Sequence, residues 1–105
     1  MNYLQITGYG FSNVKGKRFF VQMNNNNIYH FGYKFGQTFL DHKDEKKKEG
    51  YHKRHLGNKT ERRRIENFIP SPALFSFFLL WNTPDLIENI KYLNYLFRHH
   101  NILRE

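Results

Sequence analysis

The pattern of hydrophobic and polar positions changes near residue 40. Before that point, β-prone residues fill 17–23 (KRFFVQM) and 28–40 (IYHFGYKFGQTFL), and four asparagines separate the two segments. Asparagine tolerates positive φ better than other residues that carry a side chain, so this run predicts a hairpin turn. With Asn25 and Asn26 at the centre of the turn, the predicted cross-strand pairs are Met23 with Ile28, Val21 with His30, and Phe20 with Phe31.

The rest of the first forty residues gives weaker strand signals. Residues 3–7 (YLQIT) alternate and predict a short edge strand, whereas the glycine-rich stretch GYGFSNVKGK predicts a loop. A third strand is expected near Tyr33 to Leu40, where Gly32 and Gly36 allow a bulge.

From Asp41 onward the pattern is helical. Asp41 is predicted to cap a helix over Lys43 to Leu56, which is charged on most sides and must therefore lie on the surface. Gly57 predicts the end of that helix, and Thr60 begins a second short one. The apolar side of the second helix consists of Ile65, Phe68 and Ile69.

Two proline signals organise the C-terminal part. Ser71-Pro72 and Thr83-Pro84 each match a capping residue followed by proline at the first helical position. The first helix, Ala73 to Trp81, is apolar on nearly every face, which predicts a central position. The last helix runs from Asp85 to about His99 and carries one apolar stripe, formed by Leu86, Ile90, Leu93 and Phe97.

These elements predict the α+β class: a small antiparallel β-sheet, built from the N-terminal hairpin with about three strands, followed by three to four α-helices. The chain has 105 residues, which fits a single domain over 1–105, with 1–40 mainly β and 41–105 helical. The longest strongly apolar run without charge, Ile69 to Trp81, is too short to span a membrane. The N-terminus lacks the pattern of a secretion signal, so a protein that is not secreted is expected.

Charge and cysteine content narrow the function. The formal net charge is +8, from 17 Lys and Arg against 9 Asp and Glu, and no cysteine is present. The absence of cysteine excludes disulfides, thiolate zinc sites and a cysteine nucleophile, and it favours a reducing intracellular compartment. The basic balance favours nucleic acid, an anionic membrane surface or an acidic protein as partner, in that order.

The basic charge is densest in residues 41–66, where a phosphate-binding surface with interleaved rings is expected. The alternative is a solvated helix with internal ion pairs, in which Glu45 and Glu49 face Lys48 and Lys53. The residues predicted to bind nucleic acid are Lys43, Lys46, Lys47, Lys53, Arg54, Lys59, Arg62, Arg63 and Arg64, together with the rings of Tyr51, His52 and His55.

Histidines raise the possibility of metal chemistry. His52 and His55 stand three apart and His42 lies upstream, but no cysteine or suitably spaced carboxylate pair completes a ligand set, so no metal and no cofactor are expected. A hairpin followed by Asp41-His42 on a helix resembles the outline of the ββα-metal nucleases. IYHFGYKFGQT resembles the tyrosine-glycine elements of the GIY-YIG nucleases, without the arginine that should follow. A metal-dependent nuclease is therefore a second alternative function.

The apolar helix predicts a contact with another protein. Its circumference exceeds what the sheet and the last helix can cover, so an exposed strip and self-association or a tight protein partner are expected. The strip is predicted to consist of Phe75, Phe78, Leu79 and Trp81.

The phrases TFLDHKDEKKKEGYHKRHLGN and SPALFSFFLLWN resemble a family of small basic uncharacterised proteins of nucleocytoplasmic large DNA viruses, the giant-virus type. The resemblance extends over about Lys17 to Tyr95, and it implies a viral origin without catalytic residues. The leading expectation is a non-enzymatic, virion-associated protein that binds nucleic-acid phosphates without sequence specificity. The alternative is a minor capsid or scaffold protein that binds acidic protein partners. The expected location is the virion, or the host cytoplasm and its viral factory.

Overall fold

A computed structural model describes the backbone of residues 3–104 and the side chains of residues 3–100. The first part is a three-stranded antiparallel sheet with the order β1-β2-β3. Its strands are β1 (Ile6–Phe11), β2 (Lys17–Met23) and β3 (Ile28–Tyr33). Helices follow, so the predicted α+β class is confirmed.

The asparagine run does form the β2–β3 turn, but the predicted register is wrong by one residue. Met23 N donates to Asn27 O and Asn26 N donates to Met23 O, each at 2.9 Å, which closes a three-residue loop. Asn26 lies in the left-handed region with φ 70°. The extra loop residue moves the pairing, because the two-residue turn assumed from sequence is replaced by a turn followed by a bulge. The observed pairs are Gln22 with Ile28, Val21 with Tyr29, Phe20 with His30 and Phe19 with Phe31.

Two other strand predictions need correction. The predicted loop over residues 8–17 is in part strand, because β1 extends to Phe11. Within β1, a Cβ on Gly10 would lie 2.9 Å from Phe20 Cε1, so glycine leaves room for that ring. The strand expected near Tyr33 to Leu40 is absent; β3 ends at Tyr33, and a turn leads into the first helix.

The described residues contain five α-helices. They are α1 (Phe39–His42), α2 (Glu45–Leu56), α3 (Lys59–Glu66), α4 (Pro72–Phe75), which continues as a π-helical turn over Ser76–Leu80, and α5 (Leu86–Arg104). Asp41 does not cap α2: it belongs to α1, and Asp44 caps α2 by accepting from Lys46 N and Lys47 N. The cap at Ser71 is confirmed, since its side chain accepts from Leu74 N.

The core lies between the inner face of the sheet and the helical layer formed by α4, the π-helical turn and α5. Phe31 of β3 packs on Phe75 with ring centroids 5.7 Å apart. The apolar helix is central, as predicted, and Ile90, Leu93 and Phe97 of the predicted α5 stripe are buried. Across the described range, no helix combines the length and the apolar character that crossing a membrane requires.

One side chain of α5 also covers the free edge of the sheet. Asn94 Oδ1 accepts from Ile6 N at 2.8 Å, and its Nδ2 donates to Ile6 O at 3.2 Å. The amide therefore takes the place of a neighbouring strand at this position of β1, which ties the last helix to the first strand.

Candidate nucleic-acid interface

The three rings of α2 that were predicted to touch nucleic acid all pack against other residues of the chain. Tyr51 stacks on Trp81 with centroids 4.4 Å apart and planes 7° apart, and His55 covers its other side at 4.0 Å. His52 packs against Phe77 at 4.3 Å, and its Nε2 donates to Trp81 O at 2.6 Å. Burial, followed by the nearby Glu61 carboxylate, raises the pKa of Tyr51 to about 12. Tyr51 and His52 therefore pack within the fold, but Tyr51 also lines two surface depressions and His55 lines one of them. Their contact with bases or phosphates stays a prediction.

His55 and His42 are held by contacts within the chain. His55 Nδ1 bonds to Glu61 Oε2, which links α2 to α3. His42 Nδ1 accepts from Asp44 N at 2.9 Å, and its Nε2 is buried without a hydrogen-bond partner. Both ring nitrogens of His42 are therefore directed into the fold. Among the described residues, no group of three or more His, Asp and Glu is placed to hold a metal ion.

Asp41 is also engaged within the fold. It accepts two hydrogen bonds from the Arg18 guanidinium, at 2.6 and 2.7 Å, and one from Thr38 N at 2.7 Å. The Arg18 bonds hold the pKa of Asp41 well below its usual range, against a smaller opposing effect of burial. This carboxylate therefore joins β2 to α1.

The predicted partner strip is only partly on the surface. Phe75 and Leu79 are fully buried in the core, so the prediction that they contact a partner is wrong. Phe78 is half-buried beside Phe68, with centroids 5.7 Å apart, and Trp81 is half-buried against Tyr51. The sheet and the neighbouring helices thus cover more of this helix than its composition indicated.

The cations predicted to bind phosphate are all exposed: Lys43, Lys46, Lys47, Lys53, Arg54, Lys59, Arg62, Arg63 and Arg64. Within the described residues, one ion pair includes a cation of this set, and it joins Arg62 to Glu66 at 3.7 Å. The alternative pairing of Glu45 and Glu49 with Lys48 and Lys53 is not formed there; the ammonium of Lys48 instead lies 4.9 Å from the Phe39 ring centroid.

Three of these cations share a depression of about 470 Å³ on the surface of α3. Lys59, Arg63 and Arg64 line it together with Thr60 and Ile69, and none of the five lining residues is acidic. A depression of this composition offers several donors to an anion without a competing carboxylate.

Two further depressions extend this surface toward the sheet. The second, of about 410 Å³, shares Arg64 with the first and adds Lys17 and Tyr33; Glu61 also lines it, paired with His55. The third, of about 230 Å³, shares Tyr33 with the second and adds Arg54. We call the three depressions together the basic groove; its cations and exposed ring are Lys17, Tyr33, Arg54, Lys59, Arg63 and Arg64.

Lys17 and Tyr33 were missed from the sequence. They lie opposite each other at the end of the β2–β3 pair, which becomes visible only in the correct register. The sequence would have indicated this pair if the asparagine run had been interpreted as a three-residue loop.

Comparison with known proteins adds one similarity. A family model described as a family of unknown function, DUF5754, matches residues 10–55, from within β1 to the last turn of α2. No curated protein and no solved structure matches the chain. The matched segment holds Arg18, Asp41 and Tyr51, whereas the depression on α3 lies outside it.

Proposed function

We propose that this is a non-enzymatic, virion-associated protein that binds nucleic-acid phosphates without sequence specificity, through the basic groove and the exposed cations of α2 and α3. The observation that carries the proposal is the convergence of Lys59, Arg63 and Arg64 on one depression with no acidic lining residue. Phosphate groups are anions that such a set of guanidinium and ammonium donors binds well.

The charge distribution along the chain supports this placement. Residues 1–40 carry four cations and no acidic residue, and residues 41–66 carry ten cations and six anions. Residues 67–105 carry three of each and are neutral overall. The positive field therefore comes from the sheet and from α2 and α3, the elements that form the basic groove, rather than from α5.

The viral part of the proposal has a separate basis. It depends on the resemblance of residues 38–58 and 71–82 to the small basic proteins of nucleocytoplasmic large DNA viruses. Under this proposal the protein lies in the virion or the viral factory, where nucleic acid and capsid proteins are both present.

A salt titration of duplex DNA binding tests the phosphate contacts. If the five groove cations neutralise about five phosphates, affinity should fall roughly 500-fold between 50 and 200 mM salt, by the counterion-release slope of about −0.9 per phosphate. Affinities for duplexes of unrelated sequence should agree. No binding at low salt, or binding that is insensitive to salt, would contradict the proposal.

Two charge-matched double variants locate the surface. Arg63→Ala with Arg64→Ala should weaken binding and reduce the salt slope by about 1.8, because each phosphate contact contributes about 0.9. Lys91→Ala with Arg98→Ala removes the same charge from exposed positions of α5 and should leave the slope unchanged. Equal effects of the two pairs would point to a diffuse positive field instead of a site. Tighter binding to polyglutamate than to DNA would favour the acidic-protein alternative.

A further inference from the structure

Two large aromatic side chains lie exposed beside the basic groove. Tyr33 is 66% exposed and Phe35 is 79% exposed. Their rings meet edge to face with centroids 6.0 Å apart. Gly36 N donates to Tyr33 O at 3.1 Å, which closes a tight turn between the end of β3 and α1. The rings are thus carried by an ordered turn, with most of their surface facing solvent.

Tyr33 also lines the groove. It borders the second depression with Lys17 and Arg64, and the third with Arg54. An exposed ring and three cations therefore share one surface. Glu61 borders the same surface, but His55 is bonded to its carboxylate, which leaves the cations as the dominant charge.

A surface that combines exposed rings with cations is expected to distinguish single-stranded from duplex nucleic acid. In a duplex the faces of the bases are already stacked, so an aromatic side chain on the protein finds only edges and backbone. A single strand offers phosphates and free base faces together, and aromatic rings beside a cationic groove are suited to both.

We propose that the basic groove binds single-stranded nucleic acid, with bases stacked on Tyr33 and Phe35 and phosphates held by Lys17, Arg54 and Arg64. The inference rests on the proposed function and makes it more specific, because phosphate binding alone would not prefer single strands. Stacking on a protein ring is worth roughly 5- to 150-fold in affinity per base. The expected preference for single strands is thus at least several-fold at equal salt.

Three labelled ligands of equal length separate the contributions: oligo(dT) of about 12 nucleotides, within the usual site size for such grooves, its duplex with oligo(dA), and an abasic strand with the same number of phosphates. Fluorescence anisotropy at one low salt concentration gives the three affinities. We expect oligo(dT) to bind most tightly, and the abasic strand to lose the part of the affinity that comes from bases.

The variant Tyr33→Ala with Phe35→Ala should lose about tenfold or more in affinity for oligo(dT) and keep its affinity for the duplex and the abasic strand. Tyr33→Phe, which retains the ring, should bind oligo(dT) as the unmodified protein does. Near-UV circular dichroism checks that the double variant keeps its core.

The outcomes separate this inference from the proposed function. Duplex binding without any preference for oligo(dT), or an equal loss of all three ligands in the double variant, would overturn the stacking inference and leave phosphate binding in place. Failure of the unmodified protein to bind any of the three would overturn both.

Discussion

At the scale of single residues, Asp41 shows how a local pattern can be assigned to the wrong helix. Asp41 and Asp44 both stand in the acidic position that begins a helix, and the sequence alone favours the first. Lys43, with φ 56°, separates α1 from α2, and Arg18 draws Asp41 toward the sheet. That contact joins residues 23 positions apart, so no pattern within the DHKD segment reveals it.

Asp41→Asn should lower the free energy of unfolding by about 1–2 kcal/mol at neutral pH. It removes the negative charge that accepts two hydrogen bonds from the Arg18 guanidinium, and it weakens the capping box of α1. The folded pKa of Asp41 lies below the ordinary value of about 3.9, so its stabilisation is present above that pH and is lost as the pH falls toward the folded pKa. Urea unfolding from pH 7 to pH 3 should therefore show a gap between the two proteins that narrows with acid.

Glu88→Gln is the matched control for Asp41. Glu88 pairs with Lys91 at 3.6 Å, with both side chains largely in solvent. Surface pairs of this kind are worth about 0–1 kcal/mol, so the change should be small at every pH. Equal destabilisation by the two substitutions would contradict the structural role assigned to Asp41.

The rings of α2 show what the residue pattern does contain. In a helix with so many charges, Tyr51, His52 and His55 were the residues most able to pack, and the structure places them against Trp81, Phe77 and Glu61. The few rings of α2 anchor the helix to the rest of the fold, and most of its lysines face solvent.

At the scale of elements, α2 contains a glycine that lowers its stability and that can be replaced. Gly50 lies in its middle, is exposed, and has nothing within 4 Å of an added Cβ. Gly50→Ala should therefore raise the free energy of unfolding by about 0.5–1 kcal/mol, because alanine restricts the unfolded chain and favours helix. DNA affinity should not change. Thermal unfolding measured by circular dichroism is sufficient to detect the shift.

Gly16→Ala provides the opposite case. The site is equally open, but its φ is +80°, a conformation that favours glycine. The same substitution should destabilise the protein by about 1 kcal/mol. A stabilising effect at Gly16, or a destabilising one at Gly50, would contradict the backbone conformations described for these two positions.

The connection between the π-helical turn and α5 depends on Asn89, which is fully buried. Its Nδ2 donates to Leu79 O and Thr83 O, each at 2.9 Å, and its Oδ1 accepts from Thr83 Oγ1 at 2.6 Å and Thr83 N at 3.2 Å. Asn89→Ala leaves these groups without partners, so we expect a loss of about 2–4 kcal/mol in urea unfolding.

Asn67→Ala is the comparison for Asn89. Asn67 is exposed, and its side chain donates to Arg63 O at 2.8 Å. Water can replace that bond, so the loss should stay below about 1 kcal/mol. A larger loss of unfolding free energy in Asn89→Ala than in Asn67→Ala would show that the buried amide hydrogen bonds stabilise the loop before α5. Equal losses would contradict this role.

At the scale of the whole molecule, the α5 stripe and the start of α4 could be predicted because 3.6-residue periodicity and the Ser71-Pro72 cap are local. The Thr83-Pro84 cap was wrong, because α5 begins at Leu86 and Asp85 Oδ1 accepts from Glu88 N. The register of the sheet was not predictable to one residue, because the turn type depends on which asparagine takes positive φ. The basic groove was predicted only in part. Its α2 and α3 cations are a composition signal, but Lys17 and Tyr33 join them only because the fold brings the end of the β2–β3 pair and Arg64 of α3 to the border of the same depression.

The origin of the core residues along the chain bears on whether the chain is one domain. The segment that matches the family model ends before α3, while the side chains that cover the inner face of the sheet come from the π-helical turn, α4 and α5. The core residues contributed by that later part include Leu74, Phe75, Leu79, Leu80, Leu93 and Phe97. Without them, a three-stranded sheet would expose one apolar face to water, which a small sheet does not tolerate.

A fragment of residues 1–57 should therefore be unfolded when isolated, with narrow amide proton dispersion in a ¹H–¹⁵N spectrum. Trp81 would also be missing, so Tyr51 would lose the ring on which it stacks and α2 its main anchor. Adding a fragment of residues 58–105 should restore dispersed signals, because the two pieces together contain the whole core. A dispersed spectrum from residues 1–57 alone would show instead that the matched segment folds independently and that the helices from α3 onward form a separate unit.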